Sequence, residues 1–231
     1  MKKIEDVCVI IQARLSSERC PRKMVRPFAG SSLTEIAINK VLASKIIPKD
    51  NFYLSVHEPE LVEIGERLNV NVFKRSKKSA LWDGGEGAHI KDMYEWHDKL
   101  PFKYVIKVNV CSPLLKTETI DNFYKTFLNQ EQENLFGVIE QKDYLWNSKK
   151  KLITPWPKDQ TIMNTKAVES TYKAAHVLYA SRLDLISKNK FMGDFTKEQG
   201  IKLFSMDELE CFDIDYEWQF KVAEILYDNI R

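Results

Sequence analysis

The chain has 231 residues, the size of one domain or of one domain with an appendage. Hydrophobic residues make up 44% and charged residues 29%, enough apolar material for a sizeable core. Its 35 basic and 33 acidic residues leave a net charge of +2, which argues against a nucleic-acid-binding module, whose charge is normally lopsided. No apolar run is long enough to cross a membrane. The apolar run after the first residues, Val7 to Ile11, is also too short for a signal segment, so a cytoplasmic protein is expected. The four cysteines (Cys8, Cys20, Cys111, Cys211) form no CxxC pair and have no histidine at metal spacing, which disfavours zinc. Cys8 and Cys211 lie in apolar runs and read as buried thiols.

In chain order, Val7 to Ile11 is a continuous β-branched run of the kind buried on both faces of a parallel sheet. A polar loop from Gln12 to Arg26 follows, and Ser32-Leu33-Thr34-Glu35 opens an amphipathic helix to about Ser44. Phe52 to Val56 reads as a second strand, Glu58 to Leu68 as a helix and Val70 to Phe73 as a third strand. After a break at Gly84-Gly85-Glu86-Gly87 come a helix near Ile90 to Lys99 and a strand, Tyr104 to Val108. A helix from Thr117 to Leu128 and a strand from Leu135 to Glu140 complete this part. Alternating strands and helices indicate βαβ units in a mostly parallel sheet. Residues 141–173 break the rhythm with Pro155, Pro157, Trp146, Trp156 and the run Lys149-Lys150-Lys151; they read as an inserted arm, a β-arm for dimer contacts. Ala174 to Ala180 is a further strand, Leu183 to Asn189 a helix, Cys211 to Ile214 a short strand, and the pattern of Phe220, Ala223, Ile225 and Leu226 a C-terminal helix to about Asn229. The whole of 1–231 is read as one domain.

Three segments carry chemical signals. The first-strand loop holds five cations, Arg14, Arg19, Arg22, Lys23 and Arg26. In an open parallel sheet ligands bind beyond the carboxyl ends of strands, and guanidinium forks and ammonium charges there suit a polyphosphate. The loop matches neither GxxxxGK[ST] nor GxGxxG. Second, strand alternation across Asp213-Ile214-Asp215 places both carboxylates on one face, a pattern suited to Mg²⁺; a cap for the following helix would use Asp215 as well. Third, Asn109 and Ser112 follow a buried strand and can offer polar contacts to a base or sugar, or form a Ser-Pro turn. His176, alone in an apolar strand, reads as a hydrogen-bonded core residue.

In this order the segments resemble the acylneuraminate cytidylyltransferase family and its relatives, which activate 3-deoxy-manno-octulosonate or serve spore-coat polysaccharide synthesis. Gln12 to Lys23 fits the family loop R-x-x-S-x-R-x-P-x-K, Asn109 to Leu114 is similar to Q-P-T-S-P-L, and Asp213-Ile214-Asp215 matches D-I-D. The likeness runs from about Val7 to Leu226. It implies a Rossmann-like nucleotidyltransferase fold, a mostly parallel sheet flanked by helices with an inserted dimerisation arm. It implies CTP over the first loop, with Arg14, Ser17, Arg19 and Lys23 on the triphosphate. Asn109 would take the place of a base- or ribose-contacting glutamine, Arg75 that of an arginine near cytosine, and Asp213 and Asp215 would hold Mg²⁺. Arg14, Lys23 and Asp215 become the expected catalytic residues. The implied reaction transfers CMP to a small acidic acceptor, a nine-carbon sugar acid or a relative, with release of pyrophosphate, in a homodimer. Departures from the pattern are Leu15, Ser16 and Glu18 in the first loop, Leu115 after S-P-L, and Ala175-His176 where the family has N-G. The last two touch acceptor-associated parts, which leaves room for a phosphate- or phosphonate-bearing acceptor. A non-catalytic nucleotide- or sugar-binding relative is the alternative from another class; glycosyl transfer would leave the basic loop without a triphosphate.

Overall fold

A computed structural model describes residues 1–195 and 200–230. The first strand, β1 (Val7–Gln12), is central: it pairs in parallel with β2 (Phe52–Val56) on one side and β4 (Tyr104–Val108) on the other, and β3 (Asn71–Lys74) extends the sheet beyond β2. The remaining strands are β5 (Leu135–Gln141), β6 (Thr171–Arg182) and β7 (Lys202–Ser205). The order is β3-β2-β1-β4-β6-β5-β7, with β6 antiparallel to both neighbours and every other pair parallel.

Alternation along β1 supplies both layers of the core. Val7, Val9 and Ile11 pack with Ala37, Ile38 and Val41 of α1 (Leu33–Leu42) and with Ile120, Phe123, Tyr124 and Phe127 of α5 (Thr117–Asn129). Cys8 and Ile10 face the other way, toward Tyr94, Trp96, Leu183, Ile186 and Phe191. Ser32 caps α1 by accepting from the Glu35 N–H at 3.3 Å. A third cluster docks α6 (Glu217–Ile230) on the first-strand loop through Phe220 and Ala223 against Cys20, Phe28, Leu33 and Ile36, with Phe28 and Phe220 edge-on at 5.1 Å. Short helices α2 (Pro59–Arg67), α3 (Lys77–Ala80) and α4 (Ile90–Met93) fill the connections. All four cysteines are free and buried.

Several expectations need correction. The helix near Ile90 to Lys99 ends at Met93, because Tyr94 and Trp96 both enter the core and residues two apart point to opposite sides of a helix. Leu183 to Asn189 is a 3₁₀ helix, Leu183–Lys188, ended by Asn189 at φ 57°. Cys211 to Ile214 is not a strand: a 3₁₀ turn, Leu209–Cys211, leads into extended chain whose Ile214 N–H donates to the Cys111 carbonyl at 3.0 Å. The edge strand β7 went unrecognised. Between β5 and β6 the chain is loop, with a Trp146–Leu152 bridge and a 3₁₀ turn, Thr165–Ala167, in place of a β-arm. His176 is exposed rather than buried. Phe136 pairs with Tyr179 and Val138 with Ala174, so Gly137 alone stands opposite Ala175 to Leu178, and the resulting bulge turns His176 outward at φ 58°.

Candidate active site

The carboxyl ends of β1 and β4 open into a cleft of about 590 Å³, within the range of small-ligand sites. The first-strand loop forms one wall. Its backbone is tied to β2 by Ala13 N–H to the Ser55 carbonyl, 3.2 Å, and to the start of α2 by Leu15 N–H to Glu58 Oε1, 2.8 Å. Arg14, Ser17, Arg19 and Lys23 all line the cleft. Arg22 and Arg26 do not: Arg22 pairs with Glu60, and Arg26 forks onto Glu217 at 3.0 and 2.7 Å while stacking on Phe220. Only three of the five loop cations therefore face the ligand space.

The stretch after Cys211 closes the cleft. Lys23 is buried, donates to the Ile214 carbonyl and lies 3.7 Å from Asp215. Arg19 reaches the same Asp215 Oδ1 at 2.9 Å and the Tyr216 hydroxyl at 3.3 Å. Asp215 faces the cleft; Asp213 lies behind it, accepting from Asn109 Nδ2 at 3.4 Å. Burial raises the Asp213 pKa above the ordinary carboxylate value and the Asp215 charge adds to the rise, with Lys23, Asn109 and His176 opposing. Two carboxylates that repel in this way suit a cation. Mg²⁺ needs only one or two carboxylates when substrate phosphates complete its shell, and Asp215, the one of the two that lines the cleft, can meet that need. Among the described residues no group of three or more His, Cys, Asp or Glu is placed to hold a metal without such help.

Arg75 is buried in the opposite wall, donating to the Ala13 carbonyl at 2.6 Å and the Ser79 carbonyl at 3.4 Å. Burial lowers its pKa to about 10, with Glu58 opposing. Among the described residues its Nε has no partner, an open donor in the wall. Asn109 lines the cleft with its amide already engaged: Nδ2 donates to the His176 carbonyl at 2.9 Å, and Oδ1 accepts from the Cys111 N–H at 3.1 Å. It thus joins the β6 bulge to the end of β4. Ser112 is buried away from the cleft lining, and its hydroxyl has no partner among the described residues.

The sequence reading missed Gln12, Trp82 and Lys107 in the lining. Gln12 accepts from Trp96 Nε1 at 2.9 Å, and Arg14 donates to the carbonyls of Ala80 and Trp82 at 3.3 and 3.1 Å. The available signal for Lys107 was a lysine inside the otherwise apolar run Tyr104 to Val108.

A family model described as cytidylyltransferase matches residues 8–229. The chain is 24% identical over 232 residues to a pseudaminic acid cytidylyltransferase of Campylobacter jejuni, covering 97% of each. It is 24% identical over 238 residues to post-translational flagellin modification protein B of Campylobacter coli, covering 96% of this chain and 95% of that protein. Among solved structures it is similar in fold to a CMP:2-keto-3-deoxy-manno-octonic acid synthetase complexed with CTP, with a TM-score of 0.66, 11% identity and coverage of 98% of this chain and 100% of the other.

Proposed function

Since the chain belongs to the cytidylyltransferase family, we propose that its cleft transfers CMP from CTP to the hydroxyl of a nine-carbon sugar acid and releases pyrophosphate. The observation that carries this reading is the convergence of Arg14, Arg19 and Lys23 with Asp215 in one cleft at the carboxyl ends of β1 and β4. The named relatives of full-length coverage, one a pseudaminic acid cytidylyltransferase, support the choice of acceptor class.

The acceptor oxygen bonds to the α-phosphorus, the bond to pyrophosphate breaks, and the hydroxyl proton leaves to solvent. Arg14, Arg19 and Lys23 neutralise charge gathering on the phosphoryl oxygens and the leaving group, which is where preorganised cations lower a barrier most. Lys23 is suited to this because its ammonium is fixed between the Ile214 carbonyl and Asp215, so little reorganisation is left for the reaction. Ser17 adds a hydroxyl donor on the same wall, and Arg75 with Asn109 borders the end for base and ribose. Asp213 and Asp215 would hold Mg²⁺, which when bound shields the triphosphate charge. A homodimer in the cytoplasm, feeding surface polysaccharide or glycoconjugate synthesis, completes the proposal. No helix among the described residues is long and apolar enough to cross a membrane.

The test is thermal unfolding with each of the four nucleoside triphosphates and Mg²⁺, followed by pyrophosphate release with CTP and sugar acids. Ligand at a hundred times its dissociation constant adds about 2.7 kcal/mol, a midpoint rise of roughly 5–10 °C at this chain length. A rise confined to CTP, with acid-dependent pyrophosphate release, is the expected result. Equal rises with all four triphosphates, or none, would sink the cytidine assignment.

A further inference from the structure

The cations that line the cleft differ in how they are engaged. Arg14, Arg19, Lys23 and Arg75 each donate to a protein oxygen. Lys107 does not: among the described residues its recorded contacts are the ring faces of Tyr94 and Tyr179, with Nζ 5.4 and 5.9 Å from their centroids. It stands on the sheet itself, paired in register with Ile10 of β1 and Tyr179 of β6, and so belongs to the cleft floor rather than to the first-strand loop.

A half-buried side chain whose ammonium sits between two aromatic rings gains the weak attraction of their faces but no hydrogen-bond acceptor from them. An ammonium that lines the cleft with no protein oxygen on it among the described residues is placed to meet an anion that enters. The surroundings favour recognition over simple packing. Tyr179 is held from behind by Phe136 at 5.1 Å, and its hydroxyl is 3.2 Å from His176 Nδ1, so the ring beside Lys107 is fixed in place. Tyr94 is wedged against Trp96 and Phe191 in the same way. Gln12 and Asn109, the floor residues beside Lys107, spend their side chains on Trp96, His176 and Asp213. Lys107 is a charged donor that the floor, among the described residues, leaves without a protein oxygen.

We propose that Lys107 determines acceptor specificity by pairing with the carboxylate of the sugar acid. This rests on the cytidylyltransferase reading above. The same ammonium chemistry would suit a nucleotide phosphate oxygen; the first-strand loop already supplies three cations for the triphosphate, and Lys107 lies on a different element.

The experiment compares wild type with Lys107→Met, which keeps an unbranched apolar stem between the rings, and with Lys107→Arg, which keeps the charge. Calorimetric titration with CTP and Mg²⁺ reads the nucleotide arm. Titration of CMP-loaded protein with pseudaminic acid and with 3-deoxy-manno-octulosonate, each beside its analogue reduced at the carboxyl to an alcohol, reads the acceptor arm. The expected result is CTP affinity within about twofold in all three proteins and a preference for acid over alcohol in wild type. Lys107→Met should lose roughly ten- to a hundredfold in acid affinity, the scale of one hydrogen bond to a charged group, and Lys107→Arg should regain part of it. A tenfold loss of CTP affinity in Lys107→Met would assign the residue to phosphate and overturn the proposal. Wild type that binds CTP without preferring either acid to its alcohol would also overturn it. Wild type that fails to bind CTP would overturn the cytidylyltransferase reading beneath it.

Discussion

Asp215 holds two cations on a half-exposed carboxylate, whereas Arg22, the residue next to Lys23 in sequence, is turned away toward Glu60. That contrast separates residues of the site from residues that merely share its loop. Asp215→Asn keeps the shape and removes the charge that orders Arg19 and Lys23. Turnover should fall at least about a hundredfold, the scale of losing an electrostatic partner in the site. Stability should fall by about 1–3 kcal/mol, because buried Lys23 loses a charge partner while keeping the Ile214 carbonyl, and the fold should survive. Arg22→Ala should leave kcat/KM within about twofold. Steady-state pyrophosphate release beside urea unfolding checks both, and undiminished turnover in Asp215→Asn would remove that carboxylate from the proposed machinery. At this scale the sequence was legible in part. The basic loop announced itself by charge density, but which cations face the cleft is decided by Glu60 and Glu217, partners that no local pattern reveals. Asp213 and Asp215 flank a buried Ile214, but in extended chain outside any strand, so the alternation argument that pairs them does not describe this backbone.

Elements were legible where burial was two-sided. Phe52–Val56 and Tyr104–Val108 stand where their apolar runs placed them, because strands covered on both faces leave unbroken hydrophobic signatures. The half-exposed edge strand Lys202–Ser205 left none, and the bulge in β6 depends on what lies across from it. Gly137 is that partner: a Cβ there would lie 2.7 Å from Met206 Sδ and 3.1 Å from the Leu178 carbonyl oxygen. Gly137→Ala should therefore destabilise the fold by about 1–3 kcal/mol, the usual penalty for overpacking, seen as a lower urea midpoint with an unchanged slope. A second element-scale prediction concerns the joint between α1 and the segment after β4, where Lys40 donates to the Pro113 carbonyl. Burial lowers the Lys40 pKa from 10.5 to about 8, with Glu210 opposing. The unfolded chain keeps this proton up to about 10.4, so between the two values it binds more protons than the native state. Stability from this group must then rise with pH across that window and be lowest below it, by roughly 2–3 kcal/mol. Lys40→Met should flatten that part of the pH profile; parallel profiles for the two proteins would show that Lys40 titrates normally in the fold.

At the scale of the whole molecule, the segment between β5 and β6 gathers several large apolar side chains that its own chain does not cover. Leu145, Trp146, Ile153, Trp156, Ile162 and Met163 are all large, apolar and exposed, Ile162 at 72%. Isolated exposed apolar residues are ordinary, but this many on one loop exceed what a monomer normally leaves in water. The loop is not limp: Trp146 bridges Leu152, Thr154 accepts from the Leu145 N–H at 3.0 Å, and the Tyr144 ring packs against Trp156 at 5.5 Å. An ordered loop with outward apolar side chains suits an isologous contact, in which each copy covers the same loop of its partner. The exposed Lys149, Lys150 and Lys151 at its tip would repel their counterparts, which favours an interface centred on Ile162 and Met163 with the lysines at the rim. Sedimentation equilibrium should accordingly give a dimer, and Ile162→Glu with Met163→Glu should shift it to monomer by at least about a hundredfold in dissociation constant, since two buried anions would lose their hydration. Circular dichroism should be unchanged, because neither side chain supports the core. A monomeric wild type would leave these residues facing solvent and would remove the homodimer from the proposed function, while leaving the cleft chemistry, which draws on no residue of this loop, as it stands.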